Sequence, residues 1–411
     1  MTSEVTRAPA RFNPFSADFR RDPYPVYRRL REEKPVHRTM GMWVLTRYAD
    51  VHRVLRDRTV SAGLIPDLVS QQAHRLTDHD VSRIERLGRK SLVFTDNPDH
   101  ARLRGLVNRV FTARAVEALR PRVVAVAGQL ADRARRRGGM DAIAEFAAPL
   151  PIQVLCDWMA LPDRLRERVG GWTHDIRFLL EPGLMSAADF GRVREVVEDF
   201  ATALDEVVTE RRHRPGGDLL SQLLAASTAS GDRLTGEELV FVAMMCFIAG
   251  AETTKSVIGN GLLALLRHPD QAERLRRDLG LARSAVAEAL RYDCPLQLTK
   301  RRATCDLEIG GQVLRSGEQI LLCLAAANRD PAAFADPDAF DITRDARAHL
   351  AFGHGMHGCL GGMLAELQAE VAFATLGADR LKLRAEPLEW QDHTVIVRGL
   401  KRLPVRLGGG R

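Results

Sequence analysis

The segment over residues 352–361 reads Phe-Gly-His-Gly-Met-His-Gly-Cys-Leu-Gly and puts one thiol, two imidazoles and four glycines within ten residues. Four chemistries fit those residue types. Cys359 can be a small buried hydrophobe behind a glycine-rich turn, as free cysteines often are. Gly353, Gly355 and Gly358 match the G-x-G-x-x-G spacing of a dinucleotide loop, with Asp379 about twenty residues on. The charged stretch before them, residues 345–351, lacks the Val/Ile-rich strand that must deliver such a loop. His354, His357 and Cys359 offer nitrogen and sulfur donors to zinc, yet their spacing on a glycine loop shows no fourth ligand. In the fourth reading the glycines let the backbone approach a flat cofactor, and Cys359, opening a helix over residues 359–377, presents a thiolate to its iron. A helix N-terminus lowers a thiol pKa, and backbone N–H groups around the sulfur hold its charge.

A second chemical signal sits inside an apolar helix. Thr235-Gly236-Glu237-Glu238 is a capping box, and the helix it opens runs to His268-Pro269. At 1.5 Å per residue such a span is about 45 Å long, enough to cross a whole domain. Apolar residues surround its middle, so the middle is buried. There the run Ala249-Gly250-Ala251-Glu252-Thr253-Thr254 turns polar, and something polar must meet it. Thr253 can simply bond back to the helix with Glu252 exposed; alternatively, the two are an acid and an alcohol placed to move protons. Glu288 and Arg291 form an i,i+3 pair of a kind commonplace on helix surfaces. His100 and Arg104, at i,i+4, face one way. Taken singly, these two, Arg301 and His357 read as surface basic residues.

Together the segments resemble the cytochrome P-450 superfamily, in its soluble bacterial class, over roughly residues 23–405. The cysteine loop, with Phe352, Gly355, Cys359 and Gly361 in place, looks like that family's iron-ligand loop. The resemblance implies haem b, with Cys359 on the iron. Haem contacts would come from His100, Arg104, Ala249, Gly250, Arg301, Phe352, Gly355, His357 and Gly361, the basic ones pairing the propionates. It makes Glu252 and Thr253 the catalytic acid and alcohol of oxygen activation, with Gly250 clearing space for dioxygen beside the helix. Glu288, Arg291 and Arg344 become a buried structural ion-pair network, whose loss of one partner costs on the order of 3–5 kcal/mol. Departures are Cys305 where many members carry an acid, Asn97 where proline is common, and Gly362 where alanine usually follows.

The implied activity is insertion of one oxygen atom from dioxygen into a mid-sized organic substrate, by hydroxylation or epoxidation, in secondary metabolism. Neither a convincing nucleotide loop nor a ferredoxin cysteine pattern appears in the chain, so a separate ferredoxin and ferredoxin reductase are the implied electron donors. Arg102, Arg109 and Arg114 are candidates for docking them. The substrate surfaces are expected in residues 61–94, 172–185, 296–299 and 393–396. Other chemistries on the same centre stay open: oxidative coupling, a peroxide-dependent reaction, or a non-enzymatic haem-binding sensor, which would not need the acid–alcohol pair.

The wider sequence sets bounds on this. The expected fold is mainly α with a minor β region: a single domain over residues 1–411, residues 1–20 loosely ordered, and one long central helix over the haem. Short strands are expected at residues 35–38, 42–46, 303–309, 319–325 and 394–397, with a helix over 48–56. A 45% hydrophobic content can fill a sizeable core. The longest apolar stretch, residues 239–250, falls well short of the ~20 residues that cross a bilayer. The opening residues lack the apolar core of a signal peptide. Six scattered cysteines suit a reducing compartment. These features point to a cytoplasmic monomer without membrane attachment. A net charge of +7 is spread over short arginine runs with no accompanying nucleic-acid motif, so nucleic acid is not the expected partner.

Overall fold

The capping box forms as written. Thr235 Oγ1 accepts from the Glu238 N–H at 3.2 Å, and Glu238 Oε2 accepts from the Thr235 N–H at 2.9 Å. The helix that follows in the computed structural model, Gly236–Arg267, has 32 residues and is about 48 Å long. It ends where Pro269 cannot continue it. The structure describes residues 10–76 and 80–408. Helices Pro149–Trp158, Asp163–Ile176, Ala187–His213, Ala282–Tyr292 and Gly362–Gly377 pack around this central helix. Two glycines let them close in: a Cβ on Gly261 would collide with Phe373, and one on Gly259 with Ile143. Among the described residues the central helix is the one long and apolar enough to cross a membrane, but 61% of that window is buried inside the protein. It is the core of the fold.

The β region is small and stands to one side. Its main sheet runs Val36–Thr39, Met42–Leu45, Gln319–Cys323, Leu298–Ala303, Val60–Ser61. The pairings are antiparallel except that Met42–Leu45 and Gln319–Cys323 run parallel. The first hairpin turns through Met40 and Gly41, both at positive φ (51° and 74°), the combination that matches strand twist in a two-residue loop. Tyr48–Arg56 follows as the expected helix.

Five sequence expectations need correction. The strand expected at 303–309 is divided: Leu298–Ala303 joins the main sheet, while Leu307–Ile309 pairs with Gln312–Leu314. Between them Asp306 turns the chain by accepting from Ser316 N–H at 2.9 Å. The strand at 319–325 stops at Cys323, because the buried Leu324–Ala327 coils into a helical turn that suits its alanines. Residues 394–397 form no strand beyond a bridge from Val397 to Leu296. Their N–H groups are taken by side chains instead: Val395 donates to Glu181 at 3.0 Å, and Ile396 and Val397 donate to Thr394 Oγ1 at 3.2 Å. The helix after the cysteine starts at Gly362, three residues later than expected. In the expected loose N-terminal segment, residues 1–9 lie outside the described residues. The remainder holds the helix Ala17–Arg21, with Phe12 and Phe19 buried and the Phe12, Phe19 and Tyr27 rings meeting edge to face.

Glu288 and Arg291 on Ala282–Tyr292 are fully buried and bidentate, at 2.7 and 2.8 Å. Arg291 spends its remaining N–H groups on the carbonyls of Asn328, Pro337 and Ala339. Glu288 also accepts from the Asp341 N–H at 2.9 Å and lies 3.5 Å from Arg344 Nε. Arg344 in turn donates to the carbonyls of Ala335 and Asp336. The network therefore ties a helix to the irregular chain that leads into the cysteine loop. Arg291→Leu strands a buried carboxylate and frees three carbonyls. It is expected to destabilise the protein by about 3–5 kcal/mol in urea unfolding followed by circular dichroism; a loss below about 1 kcal/mol would show that the pair has no structural role.

Candidate active site

The cysteine loop is closed by the Cys359 N–H, which donates to the Phe352 carbonyl at 2.8 Å. Gly353 and Gly355 turn the chain at φ +66° and +70°. At Gly355 the reason is spatial as well, since a Cβ would lie 2.6 Å from the Leu55 carbonyl oxygen. Phe352 lies across Gly362, whose added Cβ would sit 3.4 Å from its ring, so the ring seals the loop against the helix start. Gly361 caps the helix, and its open side meets nothing within 4 Å.

Cys359 is an exposed free thiol, yet protein atoms crowd its sulfur, and burial pushes its pKa up. The N–H groups of Gly361 and Gly362 and the Arg104 charge act the other way. Against the expectation of a lowered thiol, burial wins in the protein alone. The sulfur is thus prepared for negative charge but short of positive charge. A metal ion bound there would supply it, since coordination deprotonates a thiol outright.

Around the loop the four expected basic residues converge. His100 and His357 meet with ring centroids 4.4 Å apart. Arg104 donates to the Gly358 carbonyl at 2.8 Å. Arg301 is 7% exposed, and its bonds go to Thr299 Oγ1 and the Lys300 carbonyl. Burial lowers Arg301 to about 10, with Asp96 opposing. Burial, then Arg301 and His100, push His357 down to about 4. Burial and then Arg104 lower His100 as well. Both ring nitrogens of His357 and Nε2 of His100 are buried without a hydrogen-bond partner. Such groups cost free energy unless something polar meets them. Asp96 is the acid nearby, 3.7 Å from His357 and already accepting from Ser61 Oγ and the Ala62 N–H. A crowded cationic patch with orphaned donors fits a group carrying two carboxylates, as a haem does.

The other readings of the loop fail on geometry. His354 turns to His52, ring centroids 4.7 Å apart, while His357 turns to His100, so no zinc set assembles. Residues 345–351 form no strand to deliver a dinucleotide loop.

On the central helix Ala249 is exposed, and Met245 and Thr253 one turn to either side are half-buried, as are Cys246, Gly250 and Glu252, although Phe247, Ile248, Ala251 and Thr254 around them are buried. A Cβ on the half-buried Gly250 would touch Leu155 at 3.5 Å, and Ala249 beside it is exposed. Thr253 Oγ1 donates back to the Ala249 carbonyl at 2.7 Å. Glu252 is not exposed as the plain-helix reading requires; its side chain is 15% exposed and pairs with Lys255 at 2.6 Å. Gln391, 139 residues away, donates to the same carboxylate oxygen at 3.2 Å. Neither partner carries a sequence signal. Beside Met245 opens a small apolar cleft lined by Ile65, Val69, Ile84, Phe94, Leu179 and Met245. These come from the central helix and two of the segments expected to face substrate.

Comparison with known proteins agrees. Residues 178–376 match the cytochrome P-450 family model. Vitamin D(3) 25-hydroxylase of Pseudonocardia autotrophica is 38% identical over 403 residues, 96% of each chain. The 6-deoxyerythronolide B hydroxylase of Saccharopolyspora erythraea is 37% identical over 96% of this chain and 98% of its own. The solved structure of the bacillaene polyketide synthase cytochrome P-450 PksS of Bacillus subtilis superposes with a TM-score of 0.86 at 31% identity, covering 97% of this chain and 100% of the other. Arg301→Leu is expected to weaken haem retention by about 1–3 kcal/mol, read as faster loss to apomyoglobin; an unchanged rate would remove Arg301 from the cradle. By its length-wide identity to these enzymes and its fold, the chain belongs to the cytochrome P-450 family, as an oxidoreductase whose cofactor is haem b.

Proposed function

We propose that this monooxygenase family member inserts one oxygen atom from dioxygen into a mid-sized organic substrate, by hydroxylation or epoxidation, in bacterial secondary metabolism. The observation that carries the reading is half-buried Thr253, one turn beyond the exposed Ala249 on a largely buried helix, with Glu252 held beside it. A sensor has no use for that pair. Relatives named for vitamin D(3) hydroxylation, 6-deoxyerythronolide B hydroxylation and a polyketide synthase support a bulky organic substrate. The apolar cleft supports the same class, since a desolvated hydrocarbon is what such walls favour.

Haem bound through Cys359 supplies the reductive cleavage of dioxygen, to which a thiolate ligand contributes electron density. The protein's own part is to hold that thiolate, exclude water and deliver protons. Gly361 and Gly362 N–H groups and Arg104 stabilise the sulfur. Arg104, Arg301, His100 and His357 would hold the propionates. The Thr253 hydroxyl, bonded in the resting arrangement to the Ala249 carbonyl, can rotate to donate into the site. Glu252 replenishes it with protons. The cysteines are all free, which suits work in the cytoplasm.

Electrons reach the site from a ferredoxin and its reductase. Of the three arginines offered for docking, Arg102 is engaged with Glu238 and Asp232. Arg109 and Arg114 are exposed and carry no ion-pair partner among the described residues, so they are the ones left to meet an acidic protein.

Two measurements test these roles. Thr253→Ala is expected to keep haem and substrate binding but to slow product formation by roughly 10²-fold while NAD(P)H is still consumed and hydrogen peroxide appears. Unchanged product per NAD(P)H would overturn the proton-delivery role. Reduction by ferredoxin is expected to slow as salt rises past 0.1 M, where the screening length is about 10 Å, and Arg109→Glu should slow it further. A salt-independent rate would reject electrostatic docking.

A further inference from the structure

The central helix carries a group that the acid–alcohol pair does not explain. Lys255, one turn beyond Glu252, is 14% exposed at its side chain and places Nζ 2.6 Å from Glu252 Oε2. Gln391 reaches the same oxygen from the loop on the far side, its Nε2 at 3.2 Å. Gln391 is itself 6% exposed, so this is a fixed contact inside the protein and not a mobile surface pair. The carboxylate is thereby gripped from both sides by donors through one of its two oxygens.

We propose that Lys255 is a positioning residue for oxygen activation, orienting Glu252 and setting the pH range over which that carboxylate passes protons towards Thr253. The inference rests on the acid role of Glu252 proposed above. Burial alone would raise the Glu252 carboxyl; Lys255, then Arg177 and the Gln391 amide, outweigh it and hold it below the ordinary carboxylate value. Other groups face the pair from the packed elements. His174, Asp175 and Arg177 come from the end of Asp163–Ile176 and the turn after it, and His393 comes from the loop that carries Gln391. The two histidines are held neutral chiefly by burial, so Lys255 and Arg177 supply the positive charge.

The chemistry is a proton transfer with no net electron movement. Glu252 accepts a proton from solvent, becomes briefly neutral against Lys255, and releases it to the Thr253 side, returning to carboxylate. The protonated fraction of a carboxyl falls tenfold for each pH unit above its pKa. A folded-state pKa held low therefore starves delivery as pH rises. An opposite charge at this distance lowers a carboxyl by about 1–3 units, so removing it should return that much.

The test is the ratio of product to hydrogen peroxide across pH in the haem-loaded enzyme with its electron donors. Lys255→Met is expected to move the alkaline decline of that ratio upwards by about 1–3 pH units. Lys255→Arg should restore the original profile, and the shift should vanish when Lys255→Met is made in a Glu252→Gln background. Gln391→Leu, which keeps the lysine, should move the decline in the same direction by less, and reads the same contact if Lys255→Met fails to take up haem. Glu252→Gln that uncouples while neither Lys255→Met nor Gln391→Leu shifts the profile would overturn the inference alone. A shift that persists in the Glu252→Gln background would do the same. A Glu252→Gln enzyme with an unaltered ratio would instead overturn the acid role beneath it.

Discussion

A sulfur anion inside a protein must have its charge met from several sides at once, and the fold is arranged around that demand at Cys359. The N–H groups of Gly361 and Gly362 point at the sulfur, and Arg104 adds a distant positive charge, yet burial still outweighs them in the protein alone. An iron bound at the sulfur would supply the positive charge that the protein groups leave short.

The same logic governs the surrounding cations. His100, His357, Arg104 and Arg301 crowd together with little acid among them, and burial forces the imidazoles towards neutrality. The two carboxylates of a bound haem would meet both the buried arginines and the orphaned imidazole nitrogens. Behind the loop, Glu288, Arg291 and Arg344 fix the chain that delivers it. That network has no chemistry of its own; it is a set of buried charges that satisfy one another only in one arrangement of helix and loop, which is how such groups confer specificity on a fold.

On the other side of the site the constraint is dryness combined with proton supply. The central helix is buried along most of its length, with Ala249 exposed and Met245 and Thr253 half-buried one turn to either side. Glu252, gripped by Lys255 and Gln391, is the side chain proposed to carry protons there. Two segments distant in sequence meet over it, and Glu181 holds one of them in place by accepting from the 394–396 loop.

The sequence alone settled the features that depend on local spacing. The cysteine loop, the capping box at Thr235, the Glu288–Arg291 pair and the hairpin at Met40-Gly41 are all written in neighbouring residues, where glycine conformation and helical periodicity act directly. The basic residues of the cradle were legible only through their joint resemblance to a family, because each taken singly looks like surface charge. Tertiary structure decided the rest. It left Ala249 exposed between buried Ile248 and Ala251, since a helix face is assigned by its packing partners. It withheld strand structure from residues 394–397, since Glu181, more than two hundred residues earlier, captures a donor a sheet would need. It also joined Gln391 to Glu252 across 139 residues. Contacts of that kind arise from chain closure and burial, which leave no periodic trace in the order of the amino acids.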